Sequence, residues 1–311
     1  MSGIATYSGS LDLGDKGILK PGPLLWLRSI AWMVGFSILL VLSFGPLGQF
    51  MSDTLPKDAP ELRFMARVFG ALVALAVYVL LVRCVEKRAA TELSIGAAPR
   101  ELALGLLLGM VMFCAVMAIL TGSGLYEVSF KGFEPAWKSA GAAIEAGIVE
   151  ELLVRGVILR LLWRAFGPAA AFVGSAMLFG AGHLPNNGAS LFAAICLAIE
   201  AGVMLGAFYA LTGRLWISIG IHAAWNFTQG YVFGAAVSGG SLGASFATST
   251  AVSGQPDWLT GGAFGPEASL AALAVCGTVG LAAMWLSWKA GRFGTRPASP
   301  ADESHAALAT A

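Results

Sequence analysis

Residues 139–163 have the sequence SAGAAIEAGIVEELLVRGVILRLLW, which is apolar apart from a few charged positions. A helix needs roughly 20 apolar residues to cross a hydrocarbon core about 30 Å thick, and this segment is long enough. The whole chain has the same character: of its 311 residues 57% are hydrophobic and 12% are charged, and the mean hydropathy is +0.76. An ordinary soluble domain carries about twice that charged fraction. The composition excludes a disordered chain and predicts an integral membrane protein rather than a soluble enzyme.

Seven further segments meet or approach the length of a membrane-spanning helix, so the sequence predicts an all-α, polytopic bundle of about eight spans. The eight segments are Leu24–Leu47, Met65–Val82, Leu102–Leu120, Ser139–Trp163, Pro168–Leu184, Ala189–Leu211, Leu215–Ala236 and Ala268–Trp288. Three pairs of glycines lie one helical turn apart, a spacing that lets membrane helices approach closely. These pairs are Gly105/Gly109, Gly202/Gly206 and Gly230/Gly234.

The positions of these segments divide the chain into five regions. They are a polar N-terminal segment (1–23), N-terminal transmembrane helices (24–90), a core (91–240), an outer loop with the last transmembrane helix (241–290), and a tail predicted to be disordered (291–311).

The basic residues predict the orientation of the chain in the membrane. In an eight-span arrangement the termini and the even-numbered loops share one side, which holds thirteen of the 19 Lys and Arg residues, whereas the other side holds five and Arg155 lies within a span. Because positive residues favour the cytoplasmic side, both termini are predicted to be cytoplasmic. Short cytoplasmic connections favour a bacterial inner membrane. A net charge of +1 provides no field that would attract nucleic acid, so the lipid bilayer is the expected environment and no nucleic-acid partner is expected.

Ionisable groups inside membrane spans are costly and are usually functional or paired. The predicted spans contain, away from their ends, Glu145, Glu150, Glu151, Arg155, His183, Glu200 and His222. Glu151 precedes Arg155 by four residues, the order that favours an ion pair on one helix face, so we interpret these two as a structural pair. Glu150 projects about 100° away around the helix and lacks such a partner, which makes it the better candidate for catalysis. His222 and Asn226 are one turn apart and face the same direction.

The lengths of the helical hairpins predict that these groups lie at a similar depth. Glu150 and His183 are 14 and 15 residues from the turn between the fourth and fifth spans, so at about 1.5 Å per residue both lie roughly 21–22 Å from the cytoplasmic end. Asn226 lies roughly 20 Å beyond the turn between the sixth and seventh spans, and His222 is one turn lower. Glu200 is level with Asn226. It is expected either to bond to a neighbouring site group, to line a water path, or to be a protonated structural acid.

Three motifs in this order resemble the CPBP family of membrane proteases, which includes CAAX prenyl endopeptidases, bacteriocin-processing proteases and abortive-infection type proteins. The family motifs are E-E-x-x-x-R, F-x-x-x-H and H-x-x-x-N. Here they are Glu150-Glu151-x-x-x-Arg155, Phe179-x-x-x-His183 and His222-x-x-x-Asn226, without departure. The similar region covers about Glu92 to Gly240, so the core is expected to be the protease domain. The resemblance implies an intramembrane endopeptidase that hydrolyses a membrane-associated peptide or protein, either prenylated or of leader type.

The resemblance also implies roles for individual residues. Glu150 would act as the general base that activates a water molecule, and His183 would help to hold that water. His222 and Asn226 would stabilise the oxyanion of the tetrahedral intermediate, because imidazole and amide donors aimed at a developing oxyanion lower the barrier by a few kcal/mol. Phe179 is expected to lie beside these groups.

The same side chains leave the use of a metal open. Glu150, His183 and His222 would suit tetrahedral zinc with an open position for water. Asn226 favours a metal-free reaction, since an amide is a poor zinc ligand but a good oxyanion donor. The zinc-binding pattern H-E-x-x-H is absent from the sequence. We therefore assign no metal and no cofactor, and zinc remains the alternative.

Two non-proteolytic functions are also compatible with the sequence. The polar groups could be interhelical hydrogen bonds in a bundle that acts as an immunity or binding factor. A proton-coupled transporter could use Glu145 and Glu200 as a relay, although no inverted repeat or matched pair of broken helices is evident.

Overall fold

A computed structural model describes residues 11–293, which form a bundle of helices. The first ten residues of the polar N-terminal segment, and residues 294–311 of the tail predicted to be disordered, lie outside the described residues. The first three residues of that tail form a turn, in which Arg292 is buried and the Phe293 ring stacks on Trp163 with 5.7 Å between ring centroids.

The described chain contains eleven α-helices and a two-stranded sheet. The helices are α1 (Leu25–Thr54), α2 (Pro60–Leu81), α3 (Ala98–Gly122), α4 (Trp137–Glu151), α5 (Arg160–Phe166), α6 (Pro168–Gly182), α7 (Leu191–Leu197), α8 (Gly206–Thr212), α9 (Trp216–Phe227), α10 (Asp257–Thr260) and α11 (Leu270–Lys289). Short 3₁₀ turns lie at Gly17–Leu19, Thr91–Leu93, Ile95–Ala97 and Pro266–Ala268. Four π-helical stretches extend or join the α-helices: Val82–Glu86, Leu152–Leu159, Ala198–Leu205 and Thr228–Val232.

Each of the eight predicted spans coincides with one helix or with one continuous helical run, which confirms the all-α membrane bundle. Five of these runs are long and apolar enough to cross a membrane: Leu25–Met51, Pro60–Glu86, Thr91–Gly122, Leu191–Thr212 and Leu270–Lys289. The other three runs are shorter or more polar than a typical membrane-spanning helix. Helix α6 is only 15 residues long, α9 with its π-helical extension is also short, and the run from α4 to α5 carries several charged residues.

Helix α9 is at the centre of the bundle. Every residue from Ile217 to Trp225 is buried, so this helix has protein rather than lipid around it and need not be long or uniformly apolar. It packs on α3 and α4. Glycines make these contacts close: a Cβ atom on Gly105 would lie 2.4 Å from the Ile217 carbonyl oxygen, and one on Gly147 would lie 2.9 Å from Ala223 Cβ.

The remaining helices surround this centre. Helix α2 packs on α4 and α1, and α1 also contacts α5. Helix α6 and α11 both pack against the π-helical stretch Ala198–Leu205. Large apolar side chains point outward from these helices and from the outer face of α3, including Leu42, Leu72, Leu107, Met177 and Leu281. An outer surface of this kind suits a hydrocarbon environment rather than water.

One end of the bundle is held by a buried network of charged side chains. Arg160 donates two hydrogen bonds to Glu86, at 2.6 and 3.0 Å. Arg88 bonds to Glu86 at 2.8 Å and to Glu92 at 2.7 Å. Trp32 of α1 donates its indole N–H to Glu86 at 2.9 Å. The network connects α1, the end of α2 and α5, and it lies at the end that the basic residues predict to be cytoplasmic.

A small sheet was not part of the sequence prediction. Strand β1 (Tyr126–Phe130) pairs antiparallel with β2 (Ala247–Ala251), and Tyr126 lies opposite Ala251. The Tyr126 hydroxyl donates to the Thr260 carbonyl oxygen at 2.9 Å, and burial raises the pKa of this tyrosine to about 12. These contacts hold against the bundle the outer loop that, with the last transmembrane helix, makes up the predicted region 241–290.

Candidate active site

A cavity of about 70 Å³ lies between α4, α6, α9 and the π-helical stretch Ala198–Leu205. Glu150, His183, His222 and Asn226 all line it, so the four candidate catalytic residues surround one space. They come from three different helical runs, whose packing brings them together.

Glu151 is fully buried and contacts two partners with the same oxygen. Its Oε1 accepts a hydrogen bond from Arg155 Nη1 at 2.8 Å and lies 2.9 Å from His222 Nδ1. Since a carboxylate can only accept, His222 donates from Nδ1, and its Nε2 is left for other partners. The contact with Arg155 corresponds to the ion pair that helical spacing indicated. The contact with His222 was not predicted, because it joins residues 71 positions apart.

Glu150 is in a different environment from its neighbour. Its side chain is 37% exposed, which leaves the carboxylate accessible to water from the cavity. The Glu150 Oε2 atom lies 3.8 Å from His222 Nε2, which is too far for a direct hydrogen bond. Glu150 and His222 therefore face the same cavity without a direct hydrogen bond between them.

His183 lies at the end of α6, where its ring is fixed by Phe179. The His183 Nδ1 atom is 2.8 Å from the Phe179 carbonyl oxygen, and the two ring centroids are 4.7 Å apart. A carbonyl oxygen accepts, so Nδ1 carries the proton and Nε2 is an acceptor. Phe179 also lies under the Arg155 guanidinium, at 5.3 Å from the ring centroid. The phenylalanine therefore touches both the ion pair and His183.

Residues 132–228 match the family model of Rce1-like, type II CAAX prenyl endopeptidases. We refer to this matched segment as the Rce1-like domain. The matched segment is about a third of the 311 residues and contains all three motifs, from Glu150 to Asn226. The resemblance to the CAAX-type membrane proteases, predicted from those motifs, is confirmed over this segment. No significant match to the chain is found among curated proteins or solved structures.

Arg155 connects two helical runs of the Rce1-like domain. Besides its bond to Glu151, its Nη2 group donates to the carbonyl oxygen of Ala201 and lies 3.5 Å from that of Gly202. Both carbonyl groups belong to the π-helical stretch Ala198–Leu205, where the α-helical hydrogen-bond pattern is interrupted. The buried arginine thus holds this stretch at a fixed position beside the cavity.

Three π-helical stretches border the candidate site. Leu152–Leu159 begins directly after Glu151, Ala198–Leu205 contains Glu200, and Thr228–Val232 begins two residues after Asn226. Such stretches are rare and occur frequently at functional sites, where they change the direction in which side chains point. Hydrophobic periodicity does not distinguish them from α-helix, so they could not be predicted from the sequence.

Two further carboxyl groups line the cavity. Glu200 is only 5% exposed, and its Oε1 atom has no hydrogen-bond partner among residues 11–293. Glu267, which precedes α11, accepts hydrogen bonds from the Ser238 backbone N–H at 2.6 Å and from its hydroxyl at 2.9 Å. Burial raises the pKa of Glu267 above its ordinary value, although the bonds from Ser238 oppose this. Glu267 lies outside the Rce1-like domain, and no motif singled it out.

Glu145, the other acid considered at the sequence level, lies elsewhere. It forms an ion pair with Arg67 of α2 and borders a separate cavity between α1, α2 and α4. Glu145 therefore does not line the cavity that contains Glu200 and Glu267.

The donor atoms suitable for a metal can be assessed from the same geometry. His183 and His222 each have Nδ1 engaged and Nε2 available, which is an arrangement that either a metal or a water molecule can use. Within the part of the chain that the structure describes, no three His, Cys, Asp or Glu residues are grouped closely enough to hold a metal ion. The donor types suit zinc but their spacing does not, so we derive no step through zinc.

Proposed function

We propose that the protein is an intramembrane endopeptidase that hydrolyses a peptide bond in a membrane-associated peptide or protein, prenylated or of leader type, with a water molecule activated by Glu150. The observation that supports this most strongly is the difference between the two adjacent glutamates. Glu151 is buried and bonded to Arg155 and His222, whereas Glu150 is open to the cavity that His183, His222 and Asn226 also line.

In this mechanism the Glu150 carboxylate accepts a proton from water while the water oxygen attacks the carbonyl carbon of the substrate. His183 helps to hold the water by accepting a hydrogen bond at Nε2. The proton taken up by Glu150 then passes to the amine that leaves when the carbon–nitrogen bond breaks. One carboxyl group thus serves as base in the first half of the reaction and as acid in the second.

The tetrahedral intermediate needs donors for its oxyanion. The Asn226 side-chain amide is one. His222 can be the other when its ring is protonated, because the Glu151 carboxylate at Nδ1 stabilises the imidazolium and leaves Nε2 to donate. Arg155 in turn keeps Glu151 in place. In a site shielded from bulk water such donors have more effect on the barrier than they would have in solution.

The test compares Glu150→Gln with Glu145→Gln, a matched change on the same helix at a side chain that does not line the cavity. We expect peptidomics of membranes containing the wild-type protein to show cleavage products that are lost with Glu150→Gln. With an identified substrate, the rate should fall by about 10²–10⁴-fold, the usual contribution of a general base. Glu145→Gln should cleave like the wild type. Full cleavage by Glu150→Gln, or equal inactivity of both variants, would contradict the proposal.

The metal-free form of the mechanism is tested on the same substrate. Activity should survive prolonged treatment with a zinc chelator. Loss of activity on chelation, with recovery on adding zinc but not magnesium, would instead show that zinc takes part in the reaction, with Glu150, His183 and His222 as the candidate ligands to test by substitution.

A further inference from the structure

The cavity contains more acidic groups than the proposed reaction uses. Glu200 and Glu267 line it together with Glu150, and they are close enough to each other to interact electrostatically. The part of its lining that the structure describes includes no Lys or Arg. The only positively charged side chain identified near this site, Arg155, is directed at Glu151 and at backbone carbonyl groups. Apart from His183 and His222, which the proposed reaction uses, no basic side chain of the described cavity balances the charge of these two acids.

Glu200 is the more unusual of the two. It is almost completely buried, and its Oε1 atom has no hydrogen-bond partner in the described chain. Burying a carboxyl group without a partner is costly, and buried polar groups in folded proteins are nearly always bonded. An unsatisfied acid that lines a cavity indicates that its partner is supplied from outside.

Glu267 is held in position for the same partner. Two hydrogen bonds from Ser238, one from its backbone N–H and one from its hydroxyl, fix the carboxyl group of Glu267. These donors orient the group before any ligand is bound, which reduces the cost of binding. Because α11 and the turn before it lie outside the Rce1-like domain, this part of the cavity is formed by a segment that the family match does not include.

The walls next to the acids are apolar. Leu197, Met204 and Cys276 line the same cavity. A surface with apolar walls and acidic groups complements a side chain that has a methylene stem and a cationic end, as lysine and arginine do.

We propose that Glu200 and Glu267 form an acidic subsite that binds a lysine or arginine side chain of the substrate beside the peptide bond that is cleaved. The proposal rests on the proposed protease function for its effect on cleavage. The binding itself does not depend on catalysis. Glu200 and Glu267 would determine specificity, since they contact the substrate side chain and not the reacting bond.

Selectivity is measured with the full-length protein in proteoliposomes and a set of membrane-tethered fluorogenic peptides. The peptides carry Lys, Arg, Gln or norleucine at each position around the cleaved bond, and norleucine reproduces the lysine stem without its charge. We expect the wild type to favour Lys over norleucine at one position by at least about tenfold in kcat/KM, since a buried site built for a polar group rejects an analogue that lacks it. In Glu200→Gln this ratio should fall towards one, and in Glu145→Gln it should not change. A wild type without this preference, or an unchanged ratio in Glu200→Gln, would overturn the subsite.

Binding of n-butylammonium tests the acidic subsite independently of the proposed protease function. The ion should raise the Tm of the wild type and of Glu150→Gln, whereas n-butanol at the same concentration should not. The rise in Tm should be lost in Glu200→Gln. If Glu200→Gln folds poorly, the same loss is measured in Glu267→Gln. If no peptide is cleaved but the charge-dependent rise is seen, the subsite stands and the protease function fails. If n-butylammonium and n-butanol have equal effects, the subsite fails whatever the activity.

Discussion

Glu150 and Glu151 are adjacent in the chain but lie in different environments. Glu151 is enclosed by Arg155 and His222, whereas Glu150 borders the cavity. Helical geometry was sufficient to separate the two, because neighbouring residues point about 100° apart and only Glu151 has an arginine one turn later. The bond between Glu151 and His222 could not be predicted in this way, since it depends on how α4 and α9 pack.

Arg155→Ala and Glu150→Gln should therefore have different effects on stability. Without Arg155, the Glu151 carboxylate stays buried with no ion-pair partner, and a broken buried pair costs roughly 3–5 kcal/mol. The bonds to the carbonyl groups of Ala201 and Gly202 are lost as well. We expect a lower folded yield and a clearly lower Tm for Arg155→Ala, whereas Glu150→Gln should have the Tm of the wild type. Thermal unfolding in detergent measures both, and equal Tm values would show that Arg155 has no such structural role.

The helices that form the site are held together by close contacts at small residues. Two of the three glycine pairs noted in the sequence lie where helices meet: Gly105 and Gly109 face α9, and a Cβ atom on Gly202 would lie 2.7 Å from Ala176 Cα. The third pair does not join two helices. A Cβ on Gly230 would meet Leu242, and Gly234 lies beyond the last π-helical turn, with a φ angle of +62°. Glycine spacing thus indicated close packing correctly only where the helix continues through both residues.

At the level of elements, hydrophobic periodicity was enough to locate the helices but not their interruptions. A π-helical turn and an α-helical turn have nearly the same apolar pattern, so the stretches beside Glu151 and Asn226 were not foreseen. The strands β1 and β2 were not predicted either. Each has only five residues, and they pair across more than a hundred positions of the chain.

Gly109→Ala should disturb the site through α9. The added Cβ would lie 2.3 Å from the Ile221 carbonyl oxygen, and Ile221 immediately precedes His222. Because backbone atoms cannot give way easily, α9 must shift, at a cost of about 1–3 kcal/mol. We expect a lower Tm together with reduced cleavage. Gly122→Ala is the matched control on the same helix, since a Cβ there meets nothing within 4 Å. If the two alanine variants have the same Tm, close packing of α3 on α9 is not important for stability.

For the whole molecule, both ends of the described chain meet the same helix, α5. Arg160 and Arg164 donate to the carbonyl oxygens of Leu13 and Leu19, at 3.3 and 3.1 Å, and Trp163 stacks on Phe293. Two chain ends that contact one seven-residue helix lie on the same side of a membrane, so the number of crossings between them is even. The five helices that are long and apolar enough therefore cannot account for the topology alone. The even number agrees with eight spans, in which the shorter and more polar helices also cross.

We propose that this end is cytoplasmic and that the membrane is a bacterial inner membrane. The arginines of the buried network and of α5 lie at this end, and positive residues are retained on the cytoplasmic side. Fusing a fluorescent protein to the C-terminus should give fluorescent cells, whereas a C-terminal alkaline phosphatase, which requires the periplasm, should stay inactive. Fusions truncated after Lys131, in the opposite loop, should give the reverse pattern. An active phosphatase at the C-terminus would invert the orientation. It would not affect the parity of the crossings, because that follows from the contacts of both ends with α5.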